Sequence, residues 1–140
     1  MPQADFYLID KPRFREQPLL LVCELARRAY DKRQPTLILA RDFSQAEALD
    51  ELLWSFDEDA FIPHQIAGDD DDADTAVLIA PPGLDTPDRA LIINLRDEPC
   101  ARNCERLLEV VPADADARSG SRERWRAYQQ RGYTLAKHDM

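Results

Sequence analysis

Short, almost purely apolar runs recur along this chain and leave little choice of fold. Asp5–Asp10 (D-F-Y-L-I-D), Thr36–Ala40 (T-L-I-L-A), Ala76–Ala80 (A-V-L-I-A), Ala90–Leu95 (A-L-I-I-N-L) and Leu107–Val111 (L-L-E-V-V) each have the length of one strand. Runs without an apolar/polar alternation belong to strands covered on both faces. Between them lie helical patterns. Pro18–Lys32 carries apolar residues at 18, 19, 21, 22, 25, 26, 29 and 30, with Pro18 near the start and Arg27, Arg28 and Lys32 towards the end. This places a rigid first-turn residue and late cations where a helix dipole favours them. Asp42, with Gln45 three residues on, opens a second helix that keeps its spacing through Ala46, Leu49, Leu52 and Leu53 to Trp54. Strands alternating with helices predict an α/β architecture with a mostly parallel sheet flanked by helices.

The length of 140 residues suits one domain, 1–140. The longest apolar run, Pro18–Cys23, is far too short for a bilayer, and Met1–Asp5 has neither a basic nor an apolar signal region. A cytoplasmic protein is expected, with no membrane partner. Cys23, Cys100 and Cys104 form an odd set that argues against a disulfide framework. Cys100 and Cys104 could meet on a helix face, but with only His64 and His138 to complete a ligand set, no metal is expected. Gly68–Thr75 (G-D-D-D-D-A-D-T) and Pro81–Pro87 (P-P-G-L-D-T-P) read as loops. The acidic run lacks the glycine and glutamate spacing of a calcium loop.

An α/β pattern prompts a search for a nucleotide site, and none can be assembled. The four glycines, 68, 83, 120 and 132, are isolated, and Lys11-Pro12-Arg13 follows the first strand where a phosphate loop would need backbone donors. No serine lies in a G-x-S-x-G elbow, and the carboxylates show no metal-ligand spacing. A small nucleotide-binding enzyme is therefore the weaker alternative to a binding module without cofactor or active site.

The net charge of −9 disfavours direct binding to nucleic acid, whose phosphates must be met by Lys and Arg. The charge is uneven, however. Arg118, Arg122, Arg124, Arg126 and Arg131 cluster against Glu123 alone, so the rest of the chain is more acidic than the whole. A compact basic patch on an acidic body suits a small acidic ligand. Helical spacing over Ser121–Arg131 aligns Arg122, Trp125 and Arg126, with Gly120 a candidate break before Arg118 and Gly132 a candidate C-terminal cap. Such a stripe offers guanidinium forks beside an aromatic wall, and Val111 could supply an apolar floor. Arg124 and Arg131 fall outside that face, and Tyr128 reads as core. A second cluster, Trp54, Phe56 and Phe61 around Asp57-Glu58-Asp59, either closes the core over a loop or forms an exposed partner surface.

The order and spacing of several motifs resemble the DNA polymerase III chi subunit family nearly end to end. These are Phe6-Tyr7-Leu8, Cys23-Glu24, Asp50-Glu51-x-Leu53-Trp54, Phe61-Ile62-Pro63-His64, Ile66-Ala67-Gly68, Ile92-x-x-Leu95-Arg96, Val111-Pro112, the run Arg122 to Tyr128, and Gly132-Tyr133. The acidic run after Gly68 departs from the family. The resemblance implies a Rossmann-like fold without nucleotide chemistry, and a non-catalytic adaptor with two contacts. One is the psi subunit, through which chi joins the clamp loader; the other is the acidic C-terminal tail of single-stranded DNA-binding protein, which ends in proline and phenylalanine. By resemblance Val111, Arg118, Arg122, Trp125 and Arg126 match the tail-binding positions, with tryptophan at 125 where tyrosine is common. Trp54, Phe61 and Pro63 match the psi-facing region, which an iron-sulfur repair helicase shares in some relatives.

Overall fold

The computed structural model describes residues 2–57 and 59–140. Its seven strands are β1 (Gln3–Leu8), β2 (Thr36–Leu39), β3 (His64–Ile66), β4 (Val77–Ala80), β5 (Leu91–Asn94), β6 (Arg106–Val111) and β7 (Thr134–Asp139). They form one sheet in the order β3-β4-β2-β5-β6-β1-β7, with every pairing parallel. Helices α1 (Pro12–Glu16), α2 (Pro18–Asp31) and α3 (Phe43–Ser55) lie on one face, and α4 (Ala115–Gln130) lies on the other. The α/β, Rossmann-like reading holds, and the sheet is parallel throughout. Among the described residues no helix is long and apolar enough to cross a membrane.

Alternation along each strand divides the core. Tyr7, Ile9, Ile38, Val77, Ile79, Ile93, Leu108 and Val110 face α2 and α3, while Ala4, Phe6, Leu37, Leu39, Leu78, Ile92, Leu107 and Val111 face α4 and its flanking loops. The Asp42 cap forms as its position predicts. Its carboxylate accepts from the Gln45 N–H at 2.7 Å, while Gln45 reaches back to the Arg41 N–H at 2.8 Å.

Two strands and two helices go beyond the sequence-based expectation, α1 being new and α4 longer. β3 has three half-buried residues and β7 is a largely exposed edge strand, so neither carries the apolar run that marks a strand covered on both faces. Gly120 does not break α4. The helix begins at the Asp114 cap, whose side chain accepts from the Ala117 N–H at 2.8 Å, and continues through Gly120. A glycine inside a helix costs only about 1 kcal/mol. A Cβ at that position would lie 3.4 Å from Nη1 of Arg124, so the missing side chain leaves room for that guanidinium. Cys100 and Cys104 lie in irregular chain between β5 and β6, not on a helix. Burial and the neighbouring Cys100 push the Cys104 thiol up to about 11. The acidic run is anchored: Asp72 accepts from the Gly68 and Asp69 N–H groups and from Gln65, and buried Arg89 donates to the Asp72, Thr36 and Ala76 carbonyls.

Asp5 ties three strands together. Its buried carboxylate accepts from Arg106 at 2.8 Å, from His138 at 3.0 Å and from Gln3, and the His138 ring stacks on Tyr7 at 4.8 Å. Burial alone would raise its pKa, but the hydrogen bonds from His138, Arg106 and Gln3 together hold it below the usual carboxylate value. A lowered folded-state value means that the stabilisation is complete above the unfolded-state value and is lost as pH falls through the folded one. Thermal unfolding followed from about pH 5 down to about pH 2.5 should therefore fall more steeply for the native chain than for Asp5→Asn. Equal slopes would show that Asp5 gains nothing from its partners.

Candidate functional site

The C-terminal half of the chain builds a groove. β6 leads through Pro112 into α4, which runs back across β1 and β6 and is stopped by Gly132. Gly132 takes the left-handed conformation (φ 85°), and the following Tyr133 N–H closes on the Tyr128 carbonyl at 3.1 Å, completing a Schellman-type cap. Because α4 covers the sheet only in part, a groove of about 650 Å³ opens beside it, towards β7. Phe6 and Leu8 of β1, Leu135, Ala136 and Lys137 of β7, and Arg118, Ser121, Arg122, Trp125 and Arg126 of α4 line it.

Four of these residues are cations and none carries a carboxylate. Arg118 is held deepest, with Nη2 donating to the Ile9 carbonyl at 2.9 Å; its Nε is buried and lacks a hydrogen-bond partner among the described residues. Arg122 and Arg126 are exposed and form no ion pair among the described residues. Trp125 is half-buried, its ring 5.1 Å from that of Phe6, so one face packs on the sheet while the side chain still borders the groove. The sequence reading of Trp125 as an aromatic wall describes its groove side, while its other face is an anchor on the sheet. The floor differs from expectation. Val111 is fully buried (0% exposed) in the core and does not line the groove; Phe6, Leu8 and Leu135 do. Val111 points to the correct face of the sheet, but it is sealed in the core cluster that Tyr128 of α4 covers. Lys137 and Leu135 were missed because β7 carries no apolar run. Phe6 was legible as part of an apolar strand, though not as a groove residue.

The opposite side of α4 explains why Arg124 leaves the site. Arg124 is only 8% exposed; its Nε meets Oε1 of buried Glu109 at 2.9 Å and its Nη1 donates to the Asp97 carbonyl. Oε2 of the same carboxylate accepts from the Tyr128 hydroxyl at 2.6 Å and from Asn94 at 2.8 Å, while the Tyr128 oxygen accepts from the Cys100 N–H. Burial raises the Glu109 carboxyl pKa, and the Arg124 charge with these donors opposes that shift. Arg124 and Tyr128 are four residues apart on one helical face, so this network fixes the rotation of α4 and thereby presents Arg118, Arg122 and Trp125 to the groove. Arg131 lies at the helix end, donating to the Cys100 carbonyl at 2.7 Å.

A second surface lies at the C-terminal end of α3. Trp54 is 58% and Phe61 64% exposed, with ring centroids 5.8 Å apart. Pro63 is half-buried, and its carbonyl accepts from the Val77 N–H. Under the pair lies His64, 4.7 Å from the Trp54 ring, its side chain sealed from solvent and its ring nitrogens facing the Ile62 and Asp50 carbonyls. Phe56, by contrast, packs on the core, and Asp57 pairs with Arg27. Of the three aromatics singled out in this stretch, two stand in solvent and one closes the core. Glu58 lies outside the described residues. Among the described residues no group of three or more His, Cys, Asp or Glu is placed to hold a metal ion.

Comparison with known proteins gives a consistent set of likenesses. Residues 1–136 match the family model described as DNA polymerase III chi subunit, HolC. A DNA polymerase III subunit chi of Pseudomonas aeruginosa is 36% identical over 145 aligned positions, covering 100% of this chain and 98% of that protein. The subunit chi of Escherichia coli is 31% identical, with 96% of each covered. Among solved structures, the C-terminal domain of the DEAD-box protein Dbp5 superposes with a TM-score of 0.71 at 13% identity, covering 99% of this chain and 90% of that one. T4 UvsW gives 0.67 at 7% identity, this chain spanning 41% of its length. At such identities these two likenesses concern the fold alone.

Proposed function

Since this chain belongs to the DNA polymerase III chi subunit family and is thus an accessory part of a replicative polymerase, we propose that it is a non-catalytic cytoplasmic adaptor holding two proteins. In this reading the α4 groove takes the acidic C-terminal tail of single-stranded DNA-binding protein, and the Trp54–Phe61 surface takes psi. The observation that carries it is the groove: Arg118, Arg122, Arg126 and Lys137 surround an apolar floor with no lining carboxylate among the described residues, on a chain of net charge −9. Carboxylates of the tail would meet the guanidinium groups, and a terminal phenyl ring would lie against Trp125, Phe6 and Leu8. Val111 acts from below by supporting that floor. The acidic body of the chain disfavours DNA itself as the ligand.

Exposed charge pairs around a small apolar contact suit an affinity on the order of micromolar that weakens with salt. Calorimetric titration with a tail peptide should show about tenfold weaker binding by Arg122→Ala with unchanged thermal stability, since that side chain is exposed. Unchanged affinity would remove Arg122 from the site.

The second contact rests on the exposed ring pair. Two aromatic rings in solvent at 58% and 64% exposure bury much area on docking at little rotamer cost. Trp54→Ala should abolish co-purification of psi while shifting the unfolding midpoint little. The same rings could serve a repair helicase; if the variant loses a helicase and retains psi, the psi assignment fails.

A further inference from the structure

Among the described residues β7 has a paired neighbour on one side alone, β1. The Thr134 N–H donates to the Pro2 carbonyl and the Met140 N–H to the Leu8 carbonyl, and the intervening register is regular. In a parallel ladder the inward-bonding residues alternate, so 134, 136, 138 and 140 serve β1, while Leu135, Lys137 and Asp139 direct their N–H and C=O groups to the open side. These three outward positions span about 13 Å. The edge borders the groove, since Leu135, Ala136 and Lys137 all line it.

Exposed edges are usually blunted by proline, bulges or charged side chains, lysine especially. β7 has no proline and its ladder with β1 is unbroken over six residues; its charge on the groove face, Lys137, has the same sign as the three arginines of α4, so it selects an acidic strand instead of barring every strand. We propose that the occupant of the groove, an acidic peptide in extended form, binds by adding an eighth strand to β7. Alternate main-chain groups of the peptide pair with Leu135 and Lys137, while its side chains reach the Arg122, Arg126 and Trp125 wall. Main-chain pairing supplies sequence-independent affinity, and the cations select carboxylates.

The inference rests on the groove reading above, and the test separates the two. A synthetic Asp-rich peptide ending in Pro-Phe is titrated into the full chain alongside a series of the same peptide N-methylated at one amide at a time. Strand addition predicts an alternating pattern, about tenfold weaker binding where the methyl blocks an amide facing β7 and near-native binding at the amides between. It also predicts slowed hydrogen exchange at the Leu135 and Lys137 amides on peptide addition, with those of Ala136 and His138 unchanged. Arg122-dependent binding that tolerates methylation equally at every position would overturn strand addition and leave the groove intact. Failure of the unmethylated peptide to bind would overturn both.

Discussion

Glu109→Ala is expected to destabilise the domain by about 3–5 kcal/mol, as seen when one partner of a buried ion pair is removed. The substitution leaves the Arg124 guanidinium, 8% exposed, without its carboxylate, and it strips the Tyr128 hydroxyl and Asn94 amide of their acceptor. A loss of this size is a large part of the ~5–15 kcal/mol that a domain commonly has. Urea unfolding should show the drop as a lower midpoint. The double variant Glu109→Leu/Arg124→Met should recover only the part due to the unpaired guanidinium, because the Tyr128 hydroxyl and Asn94 amide still lack their acceptor. A single variant within about 1 kcal/mol of the native chain would mean that the network contributes no more than an ordinary hydrogen bond. The network also orients α4, so Glu109→Ala should weaken peptide binding although Glu109 does not line the groove.

The largest effect on binding is expected from Arg122→Ala/Arg126→Ala. Both side chains border the groove, both are exposed, and neither has an ion-pair partner among the described residues, so their removal breaks no ion pair of the fold. Each is positioned to donate charge-assisted hydrogen bonds to a carboxylate. Affinity for the acidic tail should fall on the order of 100-fold and the salt dependence of what remains should flatten, with the unfolding midpoint preserved. Retained affinity with a retained salt slope would place the acidic ligand elsewhere.

Five of seven strands were legible because strands covered on both faces must be apolar throughout. β7 was not, because an edge strand meets solvent and its T-L-A-K-H-D sequence need satisfy no such rule. The groove was half legible. Helical periodicity separates Arg122 and Arg126 from Arg124 without any coordinates, and the buried Arg124–Glu109 contact agrees with that separation. Periodicity could not show that Val111 is sealed under α4 while Leu8 and the buried Phe6 border the groove, since all three are apolar residues on strands of the same sheet face. The aromatic stretch after α3 was ambiguous for a related reason: a ring is equally at home closing a core or docking a partner, and only the path of the chain puts Phe56 inward and Trp54 and Phe61 outward.

The sequence alone therefore determined the features that obey local rules: the α/β class, the Asp42 and Gly132 caps, the missing phosphate loop and the charged face of α4. Those depend on spacing, dihedral preference and charge along a few consecutive residues. The tertiary structure decided which residues from distant strands meet across α4, that β7 closes the groove with a free edge, and that Glu109 binds Arg124 in the interior. Such contacts join residues far apart in the chain, and no local period records how far a helix covers the sheet it packs on.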